Sequence, residues 1–372
     1  MLIYDLMDDI LNILKIYLEY FKSCDMNIEE QQKHLSGAGA TYLFEGKLCK
    51  YYDKKYALTF CNATTALLSL GFALGLKNKE ILTSPINWGG SIAPFLLLGA
   101  KAHFIKYNPN TLLIDNKDLS SAITVNTKAV LSTDFNGLPV DSEQIKQFCT
   151  DNGLFYISDS SQSLGAFYNF KPAGSYADAI ILSFSPGKTI FGGEGGAILT
   201  DNDEIYEKVL WYSQHPLRHM TRFGISNYNE YAPLNGRMNP LTAIFLNCTF
   251  ESSIDKAKQY QQECYQLINE LRNKEMIEDE KHYIYPDSST YFNFVLNTKP
   301  NQCVIDVNTY LRVSKKKWQA ADYKTKIIPL QKEFIKEYKN QFICSDQLMK
   351  QLSRRPLNRK IKIIVYNNES GS

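Results

Sequence analysis

The chain has 372 residues, of which 44% are hydrophobic and 22% charged, with a formal net charge of +2. That length allows two domains and a large core without disulfide or metal staples, and near-neutrality gives no reason to expect a nucleic acid or an anionic membrane as the main partner. The eight cysteines (Cys24, Cys49, Cys61, Cys149, Cys248, Cys264, Cys303 and Cys344) form no CxxC pair. A zinc site or a disulfide framework would need clustering, so free thiols and a reducing, cytoplasmic setting are expected.

In chain order, the first segment places Leu2, Ile3, Leu6, Ile10, Leu14 and Leu18 at helical spacing, interrupted by Asp5, Asp8 and Asp9. This predicts a packed amphipathic helix, not a signal peptide. No stretch approaches ~18 uninterrupted apolar residues, so no transmembrane helix is expected. From 55 to 202, short β-type runs alternate with helical ones. Strands are expected at 55–60, 80–84, 102–107, 129–135, 154–158, 179–185 and 196–200. Most are rich in Ile, Val, Phe and Tyr without strict alternation, as strands buried on both faces are. Helices are expected at 64–76 and 142–152, the second capped by Asp141 or Ser142 and stopped by Gly153. The rhythm predicts an α/β fold with a seven-stranded, mainly parallel sheet in a large domain spanning 1–245. Beyond about 240 the pattern changes to a charged helical stretch at 252–274 and mixed segments at 291–297, 326–330 and 361–366. These predict a smaller C-terminal α+β domain, 246–372.

Ligands of open parallel sheets sit at the carboxyl ends of the strands. The residues there include Asn62-Ala63-Thr64-Thr65, Asn87-Trp88, Asn136-Gly137, Asp159-Ser160-Ser161-Gln162 and Ser183-Phe184-Ser185-Pro186-Gly187-Lys188. One amine, one carboxylate, one large aromatic and several hydroxyls match the needs of a pyridoxal 5'-phosphate site. Such a site needs an amine for the Schiff base, an acid at the pyridine nitrogen and phosphate ligands at a helix N-terminus. It also needs a flat group against the ring and a polar neighbour for the ring oxygen. Lys188, Asp159, Thr64 with Thr65 and Ser183, Trp88, and Gln162 supply them in that order. Taken singly, each has a plainer reading. A lone lysine is usually solvated, Asp159 could cap a helix, Trp88 could be core, and Thr64 and Thr65 could be ordinary first-turn residues.

Four segments in order resemble the DegT/DnrJ/StrS-type sugar aminotransferases. They are Asn62-Ala63-Thr64-Thr65-Ala66-Leu67, Ser158-Asp159-Ser160-Ser161-Gln162-Ser163-Leu164-Gly165-Ala166, Ser183 to Lys188 followed by Gly193-Glu194-Gly195-Gly196, and Asn235-Gly236-Arg237-Met238. Gly37-Ala38-Gly39 and Phe44-Glu45 fit the family's opening. The resemblance is dense from about 36 to 245 and reduces to Pro329-Leu330-Gln331 and Arg355-Pro356-Leu357 in the tail. It implies the fold-type-I aspartate-aminotransferase architecture and a ping-pong transamination. Lys188 is then the Schiff-base lysine and Asp159 the partner of the pyridine nitrogen. Gln162 neighbours the ring oxygen, Thr64, Thr65 and Ser183 bind phosphate, and Trp88 stacks. The resemblance also implies a homodimer in which Asn235 reaches the partner's cofactor. It implies glutamate or glutamine as donor, and a nucleotide-linked keto-sugar or another cyclic ketone as acceptor. The related dehydratases carry histidine in place of the lysine, so Lys188 argues against that chemistry. A non-catalytic protein that kept the fold is the other alternative.

The departures are Ser158 for an acid, Ser160 and Ser161 for alanine, and Ala63 for glycine, small changes expected to spare the cofactor pocket. The 211–216 segment, Trp211 to Pro216, diverges in wording, which leaves the acceptor open. Arg218, Arg222 and Arg237 are candidates for a substrate carboxylate or diphosphate, or else structural. His215 and His219 stand four apart but lack a third ligand, so no metal is expected. Lys315-Lys316-Lys317 reads as a solvated face.

Overall fold

The computed structural model describes residues 11, 14–19, 22, 33–109, 111–224, 233–277, 294–297, 318–322, 336–353 and 360–365. At its centre the expected strands form as β1 (Tyr56–Phe60), β2 (Glu80–Thr83), β3 (Lys101–Phe104), β4 (Thr127–Thr133) and β5 (Phe155–Asp159). A two-stranded hairpin, β6 (Phe167–Tyr168) and β7 (Lys171–Pro172), precedes β8 (Ala179–Ser183) and β9 (Gly196–Thr200). Beyond them come β10 (Phe294–Asn297), β11 (Trp318–Asp322), β12 (Phe342–Cys344) and β13 (Lys360–Val365).

The main sheet has the order β1-β9-β8-β5-β4-β2-β3-β12. All its strands run one way except β9, which pairs antiparallel with both β1 and β8. The mainly parallel sheet is therefore as expected, but it has eight strands instead of seven. The added strand, β12, comes from the C-terminal part and pairs parallel to β3, Ile343 opposite His103. Its three residues are too short a run for hydrophobic periodicity to mark. Three other C-terminal strands form a separate sheet of order β10-β13-β11, antiparallel throughout. This is the expected α+β character. The segment at 326–330, the two tail signatures and Lys315-Lys316-Lys317 lie outside the described residues.

Why the strands stack this way is visible in their burial. Every residue of β2, β8 and β9 is buried. Ile81, Leu82, Val130, Leu131, Ile157, Ile180 and Leu182 are almost wholly removed from water, each contributing about 1.5–3 kcal/mol. Helices α1 (Ala40–Tyr52), α2 (Ala63–Ala73), α3 (Gly89–Leu97), α4 (Ser142–Asp151), α5 (Asp203–Ser213), α6 (Pro216–Phe223), α7 (Pro240–Asn273) and α8 (Asp346–Ser353) complete the described framework with shorter helical turns. Their starts are set by side chains. Asn62 Oδ1 accepts Thr65 N–H at α2, Asp141 Oδ1 accepts Gln144 N–H at α4, and Asn202 Oδ1 accepts Ile205 N–H at α5. Such caps contribute about 1 kcal/mol each.

Helix α7 is one continuous element of 34 residues opened by Asn239 and Pro240, and residue 245 falls within it. Its buried face (Ala243, Ile244, Leu246, Phe250, Ile254) packs along α1 and the main core. Residues 14–19 are helical, yet Leu14 and Leu18 are exposed in the single chain. Tyr17 makes the attachment instead, donating to Leu241 O at 2.8 Å and meeting the Phe245 ring.

Candidate active site

The carboxyl ends of β1, β2, β4, β5 and β8 lie along one edge, where reversed β9 begins. Register puts Thr133 opposite Asp159, and Ser183 and Phe60 both opposite Gly196. A Cβ on Gly196 would lie 2.4 Å from Ala63 N and 2.5 Å from the Asn62 carbonyl carbon. Only glycine lets β9 start against the backbone that opens α2. The same crowding recurs at Gly236, where a Cβ would meet Thr65 Cγ2 at 2.7 Å. The 235–237 segment is laid on the end of β1 by the Cys61 N–H to Gly236 O bond of 2.8 Å and a bridge between Phe60 and Arg237. Thr64, Thr65, Ser183 and Asn235 thus share one corner of the edge.

At α2 the Asn62 cap consumes Thr65 N–H, and the first-turn amides of Ala63 and Thr64 remain as donors without intrahelical acceptors. A helix N-terminus of this kind attracts anions. Ser183 Oγ lies 3.0 Å from Ser185 Oγ. Trp88 caps α3 by its position and is 57% exposed. A Cβ on Gly90 would meet Trp88 Nε1 at 2.8 Å and Thr64 Oγ1 at 3.4 Å, so the indole lies against Gly90 beside the α2 corner. That exposure answers the alternative that Trp88 belongs to the core.

Asp159 ends β5 and is buried. Its Oδ1 accepts Ser161 N–H at 3.1 Å, and its Oδ2 accepts the Ser91 hydroxyl. Lys188 follows the β8 end in a turn closed by its own N–H to Ser185 O at 3.2 Å. Burial lowers its pKa, and the negative charge of Asp159 opposes that shift in part. Among the described residues its amine has no ion pair. Gln162 Oε1 accepts Asn136 N–H at 2.8 Å, which fixes the amide and keeps its NH2 as the free donor end. Asn136 takes a left-handed φ of 58° to make that turn.

Between these two turns lies Asp134, which the sequence alone does not single out. It is fully buried. Its Oδ2 accepts Ser160 Oγ at 2.9 Å and Ser163 Oγ at 2.7 Å, and its Oδ1 accepts Val140 N–H at 3.0 Å. Burial pushes its pKa up to about 6 against the pull of those donors. Ser160, one of the serines that depart from the family wording, is therefore one of its hydrogen-bond donors.

Residues 25–362 match the model of the DegT/DnrJ/EryC1/StrS aminotransferase family. The chain belongs to that family. A curated member, the UDP-4-amino-4,6-dideoxy-N-acetyl-beta-L-altrosamine transaminase of Helicobacter pylori, is 36% identical over 188 residues, 49% of this chain and 49% of that one. The chain thus spans about half the length of the curated relatives it matches. Among solved structures, PseC of Helicobacter pylori, an aminotransferase of pseudaminic acid biosynthesis, superposes with a TM-score of 0.73 at 23% identity, over 96% of this chain and 92% of that one. NtdA of Bacillus subtilis, solved with its cofactor PMP, superposes with a TM-score of 0.73 at 22% identity, over 95% and 78% of the two chains. These likenesses establish the family fold across the chain.

Within this family frame, the three candidate arginines separate. Arg218 is committed elsewhere. It is buried, its Nη2 donates to Glu45 Oε2 at 2.6 Å, and its Nη1 donates to Glu45 Oε1 at 3.2 Å. Arg222 lies over the Tyr56 and Tyr206 rings and pairs with Glu207 at 3.3 Å. Arg237 alone faces a cleft beside the site, of about 290 Å³, lined also by Cys61, Glu194 and Asn235. Its buried Nη1 has no hydrogen-bond partner. His215 accepts Leu217 N–H to cap α6, and His219 Nε2 lies 3.0 Å from Leu210 O with its ring stacked on Trp211. His215, in the divergent segment, and His219, in α6, thus both have structural partners. No helix among the described residues is long and apolar enough to cross a membrane.

Proposed function

We propose that this chain is a pyridoxal-phosphate-dependent aminotransferase. It moves an amino group from glutamate or glutamine to a nucleotide-linked keto-sugar or a related cyclic ketone. The observation that carries the reading is the state of Lys188: a half-buried amine, without an ion pair among the described residues, in the field of the buried Asp159 carboxylate. An amine whose pKa is lowered by desolvation, beside a buried carboxylate at the carboxyl edge of a parallel sheet, is a functional signature.

Pyridoxal phosphate supplies, when bound, a protonated ring that delocalises the electrons left when an amino acid loses its α-proton. The residues present suit it. Lys188 would hold the cofactor through Nζ and would serve as base and acid for the substrate's α-proton. Its lowered pKa enlarges the neutral fraction that the first role needs. Asp159 keeps the proton on the ring nitrogen. Trp88 covers one ring face, and Gln162 offers its NH2 to the ring oxygen. The Ala63 and Thr64 amides, with the hydroxyls of Thr64, Thr65 and Ser183, bind the phosphate.

The same proposal makes the active protein a cytoplasmic homodimer, with Asn235 of one protomer reaching the partner's cofactor. Exposure of Asn235, Phe191 and Leu241 near the site supports such a face. Arg237 in its adjacent cleft then serves an anionic part of a substrate. The division into a cofactor domain, 1–245, and a smaller domain, 246–372, belongs to this reading. The relative named as a UDP-sugar transaminase supports the acceptor class.

The test is an assay of the purified protein with pyridoxal phosphate, L-glutamate or L-glutamine, and a panel of UDP-, GDP- and dTDP-linked keto-sugars. Formation of the donor's keto acid and an amino-sugar nucleotide in equal amounts is expected with at least one acceptor. A protein that retains the cofactor yet makes neither product from any pair would contradict the function.

A further inference from the structure

Both carboxylate oxygens of Asp159 are already held by the protein, one by a backbone amide and one by the Ser91 hydroxyl. Ser91 stands in the first turn of α3, three residues after Trp88. Its hydroxyl also lies 3.1 Å from Asn87 Oδ1, but it has one proton to give. Asn87 Oδ1 already accepts Trp88 N–H at 2.7 Å, and Asn87 Nδ2 is anchored on Thr133 Oγ1 at 2.6 Å. A carboxylate attracts a shared proton more strongly than an amide oxygen, so the Ser91 proton goes to Asp159. Thr133, Asn87, Ser91 and Asp159 are all buried. Asn87 is thus bonded to Thr133 and to the Trp88 backbone, and Ser91 to the carboxylate that ends β5. The Ser91 hydroxyl gives α3 no internal hydrogen bond, and the roles assigned above do not use it.

We propose that Ser91 is the positioning residue for Asp159, fixing the rotation of its carboxylate and dispersing part of its negative charge before it meets the cofactor's ring nitrogen. This rests on the cofactor reading above. Each carboxylate oxygen accepts two hydrogen bonds, so Oδ2 keeps a site for the ring while Ser91 occupies the other. Among the described residues, Lys188 and Asp134 are charged groups within electrostatic reach of Asp159, and both stay in place when Ser91 is changed. Without the hydroxyl, Asp159 presents a more concentrated negative charge, which stabilises the protonated form of the bound cofactor.

The test compares wild type, Ser91→Ala and Ser91→Cys, each loaded with pyridoxal phosphate, by titrating the visible absorption band with pH. The Ser91→Ala midpoint is expected to rise by about half a pH unit or more. Ser91→Cys, a weaker donor of similar size, falls between, with equal cofactor content in all three. Coincident midpoints would overturn the proposal. If the alanine variant does not fold or load, the cysteine variant against wild type decides: a raised midpoint supports the role and an unchanged one overturns it. A wild type without a visible band overturns the cofactor assignment, and this inference with it.

Discussion

Two of the places where the described residues bury charge are built oppositely. At the first, Arg218 grips Glu45 with two hydrogen bonds across 173 residues of sequence, and Glu45 Oε1 also accepts Thr59 N–H and Oγ1–H. Gln214 Oε1 takes a further Arg218 proton, and Gly37 lies so close that a Cβ would sit 2.5 Å from Arg218 Nε. At the second, Asp159 is held by neutral donors, Lys188 is held by no carboxylate among the described residues, and Trp88 stands open beside them. The first cluster is closed, its charges satisfied by each other. The second leaves an amine beside a carboxylate that is already held by neutral donors. Charge alone does not distinguish structural from chemical sites; the partner left over does.

The sharpest separation of the two is by substitution. Lys188→Ala is expected to lower amino transfer by a factor of about 10³ or more, the scale of a lost proton-transfer group, with little change in unfolding free energy. A residual rate above a tenth of wild type in the keto-acid assay would remove Lys188 from the chemistry. Arg218→Ala does the reverse. It leaves the Glu45 carboxylate buried without its counter-charge, a loss of about 3–5 kcal/mol in urea unfolding, while the variant that remains folded keeps the cofactor's absorption band. A destabilisation under about 1 kcal/mol, the range of an exposed pair, would show that the Glu45–Arg218 pair is not the anchor described.

Gly196→Ala strikes the framework of the open site. Its Cβ meets backbone atoms, which cannot swing away as a side chain tip can. Displacing the start of α2 is expected to cost about 1–3 kcal/mol and to weaken cofactor phosphate binding, read by fluorescence titration with pyridoxal phosphate. Unchanged affinity would separate β9 from the phosphate corner. The smallest effect concerns Asp134, whose pKa lies raised to about 6. Between about pH 4, the ordinary aspartate value, and about pH 6, the native protein keeps a proton that the unfolded chain has released. Asp134 therefore contributes stability at low pH that is lost as pH rises through about 6. Asp134→Asn should remove that slope from unfolding curves taken between about pH 4 and 7, and identical slopes would refute it.

Much of the open site was legible because it is written locally. Strands buried on both faces announce themselves as apolar runs, and the sheet edge then singles out the residues at the end of each run. Asn62 to Thr65, Asp159 to Gln162 and Ser183 to Lys188 are each contiguous and each stand at a strand end. The closed cluster was undecided for the opposite reason. Arg218 could be read as an anion ligand or as structural, because its partner, Glu45, lies in α1 and no spacing rule connects them. Asp134 and Ser91 escaped for a related reason: an aspartate at a strand end and a serine in a first helical turn have common local uses. Only the pairing of β4 with β5 and the packing of α3 bring them to Ser160, Ser163 and Asp159. Strand β12 was hidden by brevity.

The most direct test of the central claim is the absorption spectrum of the purified protein with pyridoxal phosphate, before and after addition of L-glutamate or L-glutamine. A visible band that depends on Lys188 and bleaches with the amino donor, while the donor's keto acid accumulates to one equivalent per chain, is the expected result. No band in the presence of excess pyridoxal phosphate would contradict the account and return Lys188 to the ranks of ordinary lysines.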